Sequence, residues 1–219
     1  CDMEVYLFSL ASLQKEEIQQ KVVDLLSETD RIGIEEIKSQ KKRLTFLGGR
    51  ILLEYVAHLH GLDTFHLAYG KNGKPYFSDI GDFFFSISHS GDYLILAWSC
   101  HEIGVDMEQI RKELPRFPEK MLSPTDFSFW KKQNDLDKIR CFFELWTRKE
   151  SYTKLHGDSI FRKAKELSVS DGEQFREFMG TPASYFHTCQ WDDYMISVST
   201  LEEKAHLSIK IVTLDEIIP

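Results

Sequence analysis

The chain has 219 residues, 42% hydrophobic and 28% charged, with a formal net charge of −8. That composition gives a globular protein with a sizeable core and weighs against broad nucleic-acid binding, which needs basic surface to neutralise phosphates. No apolar run approaches the roughly 20 residues that span a bilayer, and the opening residues lack the basic segment, apolar stretch and small-residue cleavage site of a leader. Neither a nucleic acid nor a membrane is therefore expected as a partner. The four cysteines, Cys1, Cys100, Cys141 and Cys189, lie far apart with no C-x-x-C pair. This spacing argues against zinc and against a disulfide framework, and makes a reducing cytoplasm the expected home.

In chain order, residues 5–10 read as an opening strand, and 13–26 carry apolar residues at helical spacing. A second helix is predicted over 34–59, with Gly48-Gly49 as its weak point and Lys41, Lys42, Arg43 and Arg50 placing cations on it. Residues 65–69 form a short strand before the Gly70-Lys71-Asn72-Gly73 turn. Strands over 83–88 and 93–99 follow, and Cys100-His101-Glu102 leads to a further strand over 103–108. This sequence predicts a meander holding both His89 and Asp106. Short helices are expected over 117–121 and 124–132, with Ser123 or Thr125 as a cap and Pro124 in the first turn. A long helix over 137–156 ends at Gly157. Strands over 175–179, 184–190, 194–200 and 207–214 then give a second sheet. The two halves, 1–102 and 103–219, each read as helix followed by a three-stranded sheet, an α+β organisation.

Four short segments carry the chemistry. On the strand 103–108, Asp106 and Glu108 alternate and so share a face. In the helix 137–156, Glu150 and Lys154 stack at i and i+4, with Trp146 one turn earlier. Taken singly, Asp-x-Glu is common at strand ends, and a Glu/Lys pair of this spacing is commonly a solvated ion pair. Together, three carboxylates and an amine suit a hard divalent cation facing a phosphate, and magnesium prefers such oxygen ligands. Lys74, before Pro75, is held extended. Ser88, His89 and Ser90 offer several hydrogen bonds to phosphate.

The ordered set G-K-P at 73–75, F-S-I-S-H-S at 85–90, G-V-D-M-E at 104–108 and W-T-R-K-E-S-Y-T-K at 146–154 resembles the 4'-phosphopantetheinyl transferases of the surfactin-synthetase-activating (Sfp) type. The corresponding family patterns run roughly G-K-P, F-N-x-S-H-S, G-[IV]-D-x-E and W-x-x-K-E-[AS]-x-x-K. The likeness extends from about Arg43 to the Trp191-Asp192-Asp193-Tyr194-Met195 segment. Ser86 stands where the family often has asparagine, and a serine still donates and accepts a hydrogen bond.

The resemblance implies two similar halves related by a pseudo-twofold axis, with the active site between them. It implies an enzyme, a holo-[acyl-carrier-protein] synthase (EC 2.7.8.7). Such an enzyme moves the 4'-phosphopantetheine of coenzyme A to a serine of an apo acyl, peptidyl or aryl carrier protein and releases adenosine 3',5'-bisphosphate. It assigns Asp106, Glu108 and Glu150 to Mg2+, Glu150 also to the serine proton, and Lys154 to the charge on the leaving phosphate. Ser88 and His89 would hold the phosphates, Lys74 and Pro75 would border the adenine, and Arg43 and Arg50 would meet the 3'-phosphate. A monomer is expected. Because carrier proteins are generally acidic, docking needs a locally basic or apolar patch, for which Arg111, Lys112, Arg116, Phe117, Lys120 and Met121 are candidates. Two rivals are a magnesium nuclease and a non-enzymatic carrier-binding module. The nuclease core wants lysine two places after glutamate on a strand, and the intact acidic set argues against the binding module.

Overall fold

Strand β1 (Met3–Ser9) is buried on both faces, as the unbroken apolar run at its centre requires. Its even residues Tyr6 and Phe8 enter one core, and its odd residues Met3, Val5 and Leu7 enter another. The structure, a computed structural model, describes residues 2–157, 165–170, 174–175, 184–203 and 205–218. Helices α1 (Glu16–Leu25), α2 (Glu28–Glu35) and α3 (Gln40–Leu59) follow β1. The helix predicted over 34–59 is thus two, because Ser39 caps a new start by accepting from Lys42 N at 3.4 Å. Gly48-Gly49 does not weaken α3. A Cβ on Gly48 would come within 2.6 Å of the Leu10 side chain, so its absence lets the helix pack closely there.

Strands β2 (Leu67–Tyr69) and β3 (Pro75–Phe77) form a small hairpin. Strands β4 (Phe84–Ser90) and β5 (Tyr93–Ser99) pair antiparallel through a turn at Gly91, whose φ of 54° suits glycine. Strand β6 (Ile103–Gln109) leaves this pair. The predicted meander therefore fails at its third strand: β6 crosses to pair with β9 (Tyr194–Thr200) in a second sheet. The cause is its apolar face, since Ile103, Val105 and Met107 are fully buried in the core shared by both sheets. Helices α4 (Pro124–Lys131) and α5 (Lys138–Leu155) come next. Ser123 caps α4 by accepting from Asp126 N at 3.1 Å, as the sequence suggested.

The first sheet has the order β10-β1-β5-β4 and the second β6-β9-β8-β7, where β7 is Gln174–Phe175, β8 Ser184–Trp191 and β10 Leu207–Val212. Residues 176–179 of the predicted strand lie outside the described residues. Two expectations are corrected here. Among the described residues the two large sheets have four strands each rather than three, and β10 joins the first sheet, parallel to β1 from Met3↔Leu207 to Phe8↔Val212. Val212 supplies the reason by closing the core under α3. The fold is α+β, and its first sheet draws a strand from beyond residue 103. A last turn, α6 (Leu214–Ile217), carries a capping box between Thr213 and Glu216.

Helix α3 covers the first sheet, with Leu47, Ile51, Leu52 and Val56 in that core, and α5 covers the second through Phe142, Leu145 and Tyr152. No helix among the described residues is long and apolar enough to cross a membrane. Cys141 and Cys189 are free, but Cys100 is disulfide-bonded, so the reading that the cysteines form no disulfide is corrected.

Candidate active site

The serine residues of β4 alternate, so Ser86, Ser88 and Ser90 share one buried face. That face meets the free edge of β6, the edge not paired with β9. Val105 N donates to Ser86 Oγ at 3.0 Å, and Gln109 N donates to Ser90 Oγ at 3.0 Å. In turn, Ser88 Oγ donates to Asp106 Oδ1 at 2.8 Å and Ser90 Oγ to Glu108 Oε2 at 3.0 Å. Hydroxyl groups, not a backbone ladder, join the two sheets at this seam.

Helix α5 reaches the seam from the second sheet. Its approach to β6 is set by Gly104, where a Cβ would collide with the Ser151 carbonyl oxygen and lie 2.5 Å from Leu155 N. Ser151 Oγ also bonds Ser199 Oγ at 2.6 Å, so small residues line the contact. Lys154 Nζ then donates to Asp106 Oδ1 at 2.7 Å and to Ser88 Oγ at 2.8 Å. A strand of each sheet and a helix thus converge on one carboxylate.

Asp106 is only 4% exposed, and its second oxygen, Oδ2, is buried with no hydrogen-bond partner. Burial, then the charge of Asp106, pushes Glu150 up to about 7, with Glu108 adding to the push and Lys154 opposing it. Glu108 is raised by the same burial and the same neighbour, while Ser90 and Arg111 hold it down. His89 lies at the outer side of β4. Partial desolvation, then Lys154 and Lys41, keeps its pKa below the ordinary imidazole value.

The donor chemistry fits a hard divalent cation. Asp106 has a buried carboxylate oxygen with no hydrogen-bond partner, and its charge, after burial, raises the pKa of two further carboxylates, an oxygen-rich set of the kind such a cation prefers. Among the described residues, no group of three acidic, histidine or cysteine side chains stands ready to hold a metal. Asp106, Glu108 and Glu150 are the residues that would supply its oxygens.

Lys74, Pro75, Ser86 and Lys154 line one cavity of about 230 Å³. Lys74 Nζ also ties the start of β3 to β6 and α5, donating to Glu102 Oε2 at 3.1 Å, Ile103 O at 3.3 Å and Leu155 O at 3.4 Å. On the other side of Glu108, a larger cavity of about 890 Å³ is lined by Arg111, Lys112, Lys120, Met121, Phe142 and Trp146 among others. The two arginines stand apart from the carboxylates. Arg43 donates to Gln19 Oε1 and Ile34 O, both at 3.3 Å, beside a polar cavity of its own. Arg50 pairs with Asp30 at 2.8 Å and bonds Tyr69 OH at 2.5 Å. Of the cations on α3, Lys41 is the one that acts on His89.

Sequence reasoning brought together Ser88, Asp106 and Lys154, and set Glu108 and Glu150 beside them. It missed that Ser88 and Ser90 spend their hydroxyls on the carboxylates. The available signal was the matching period of two in S-I-S-H-S and D-M-E. It also missed Lys149, adjacent to Glu150, which is fully buried against Asp126 at 2.7 Å.

Carboxylates, an amine and hydroxyls thus gather at the seam between the two sheets. The model of the 4'-phosphopantetheinyl transferase superfamily matches residues 102–199. The 4'-phosphopantetheinyl transferase AcpT of Escherichia coli O157:H7 is 32% identical over 172 residues, covering 69% of this chain and 84% of its own. A 4'-phosphopantetheinyl transferase of Bacillus subtilis is 29% identical over 127 residues, 57% of each chain. The 4'-phosphopantetheinyl transferase gsp of Aneurinibacillus migulanus is 30% identical over 119 residues, 53% of this chain and 49% of its own. The chain thus spans about half the length of these last two relatives. It belongs to the 4'-phosphopantetheinyl transferase superfamily, with the Sfp-type enzymes among its relatives.

Proposed function

We propose that the chain is a holo-[acyl-carrier-protein] synthase (EC 2.7.8.7). It transfers the 4'-phosphopantetheine of coenzyme A to a serine of an apo acyl, peptidyl or aryl carrier protein and releases adenosine 3',5'-bisphosphate, in a Mg2+-dependent reaction. The observation that carries this reading is the buried, unpartnered Oδ2 of Asp106, set among Glu108, Glu150 and Lys154. Such transfers depend on alignment and charge stabilisation more than on covalent chemistry. Bound Mg2+ would neutralise the diphosphate. Lys154, now held by Asp106 and Ser88, is the cation for the charge on the leaving phosphate. Glu150, raised toward neutrality, suits a group that takes the serine proton.

The proposed adenine border is Lys74 and Pro75, which share a cavity with Lys154. His89 with Lys41 is the pair we favour for the 3'-phosphate, with Arg43 and Arg50 as further basic groups of that region. For the carrier, Arg111, Lys112, Lys120 and Met121 line the large cavity beside Glu108, a basic and apolar surface of the kind an acidic partner needs. The exposed Phe117 extends this surface with Arg116 and Lys120 over its ring. The proposed setting is a monomer in the cytoplasm.

The nuclease alternative is disfavoured because Lys154 follows Glu150 by one helical turn within α5. The test mixes the chain with coenzyme A, Mg2+ and an apo carrier. A mass gain of one phosphopantetheine on the carrier, lost when Mg2+ is chelated, is the expected result. An unmodified carrier across fatty-acid, polyketide and nonribosomal-peptide types would overturn the assignment.

A further inference from the structure

We propose that Ser90 is a positioning residue for Glu108, fixing that carboxylate at the edge of the cleft through its hydroxyl. The inference rests on the reading of Glu108 as a cation ligand. Ser90 is 7% exposed, and its hydroxyl both accepts and donates: Oγ accepts from Gln109 N at 3.0 Å and donates to Glu108 Oε2 at 3.0 Å. The first bond anchors the serine to the backbone one residue beyond Glu108. The second then holds a side chain that would otherwise turn freely about its three rotatable bonds. Among the described residues, Ser90 is the hydrogen-bond donor to the Glu108 carboxylate.

The comparison along β4 sharpens the role. Ser88 serves Asp106, a carboxylate that Lys154 also grips. Among the described residues, Ser86 Oγ bonds the Val105 backbone and no carboxylate. Glu108 has a longer arm than Asp106, and Ser90 gives it a directional bond, whereas Arg111 and Lys154 act on it through charge. A hydroxyl that orients a ligating carboxylate typically changes cation affinity by about 10–100-fold when removed. Nothing about the seam itself requires a donor at that oxygen, because the Gln109 bond already joins the sheets.

The experiment measures Mn2+ binding by calorimetry in the intact chain, beside Mg2+ titrations of carrier modification. Ser90→Ala should bind Mn2+ at least about tenfold more weakly and need correspondingly more Mg2+ for half-maximal transfer, with near-parental turnover at saturation. Ser90→Thr, which keeps the hydroxyl, should restore both. Ser86→Ala serves as the structural comparator and should lower the melting temperature without shifting Mn2+ affinity. In a Glu108→Ala background, Ser90→Ala should add no further loss of affinity. This cycle, with the threonine variant, keeps the inference exposed should Ser90→Ala fold poorly. Parental Mn2+ affinity in Ser90→Ala, or an equal loss in the Glu108→Ala background, would overturn the inference while leaving the transferase reading intact. A parent chain that binds no Mn2+ and modifies no carrier would instead overturn the transferase reading and the inference with it.

Discussion

Two lysines of α5, five residues apart, each approach an aspartate oxygen at 2.7 Å, yet they do opposite things. Lys149 and Asp126 are both 0% exposed. Asp126 Oδ1 accepts from Val169 N and Ser170 N, each at 2.9 Å, while Oδ2 faces the lysine. Both oxygens of that carboxylate face a partner within the fold, Oδ1 the two N–H groups and Oδ2 the buried ammonium of its ion pair. Lys154 is 29% exposed, and its partner Asp106 keeps one oxygen buried and unanswered. A saturated ion pair pins α4, α5 and the 167–170 segment to one another; an unsaturated one waits for something from outside. Adjacent positions on the helix also divide the labour, since turning Lys149 into the core turns Glu150 toward the cleft.

The largest expected effect tests the saturated pair. Lys149→Met leaves a buried, uncompensated aspartate and should cost about 3–5 kcal/mol of stability, read from denaturant melts. Lys149→Met with Asp126→Leu should recover part of that loss. Recovery stays incomplete because the Val169 and Ser170 N–H groups lose their acceptor. A double variant no better than the single would mean that the backbone bonds, not the ion pair, hold this region.

Next comes the unsaturated pair. Lys154→Ala should slow carrier modification by about 10²–10³-fold while leaving the melting temperature within a few degrees. The Mg2+ requirement should not rise, because no proposed ligand is lost. Comparable damage to stability and rate would erase the contrast between the two lysines.

A smaller effect concerns the cost of the cleft. A carboxyl whose pKa is raised on folding holds its proton more tightly in the native state. Between about 4.5 and about 7, the native chain therefore binds more protons than the unfolded one, and stability falls as pH rises through that window. Glu150→Gln removes this term. Without divalent cations, it should be more stable than the parent by about 1–3 kcal/mol at pH 8 and equal to it near pH 4.5. Parallel stability profiles for the two chains would show that Glu150 is not under such pressure.

The elements that carry the site were legible because each is announced locally. The i, i+4 spacing of Glu150 and Lys154 and the alternation of Asp106 and Glu108 need only the period of a helix or a strand. What escaped depends on pairing across long separations. Nothing in residues 207–212 says that they lie parallel to β1 rather than beside the preceding strand β9, since an apolar strand suits either neighbour. Likewise, β6 follows β5 after a three-residue link, and only the fully buried face of Ile103, Val105 and Met107 sends it to the other sheet. The basic run 41–43 illustrates a subtler limit. Its residues are adjacent in sequence, but a helix fans successive side chains by about 100°, so the charge of Lys41 is felt at His89 while Arg43 turns to Gln19.

At Gly104 the backbone of a strand and the backbone of a helix touch with no side chain between them. The separation of Asp106 from Lys154, and of Glu108 from Glu150, is thereby calibrated by a missing carbon atom. A residue with no functional group of its own acts as the ruler for the four that have one. Substitution there would be felt as detuned chemistry and as lost stability at once, because any added methyl group must lift α5 off β6 and carry two of the four charged groups away with it.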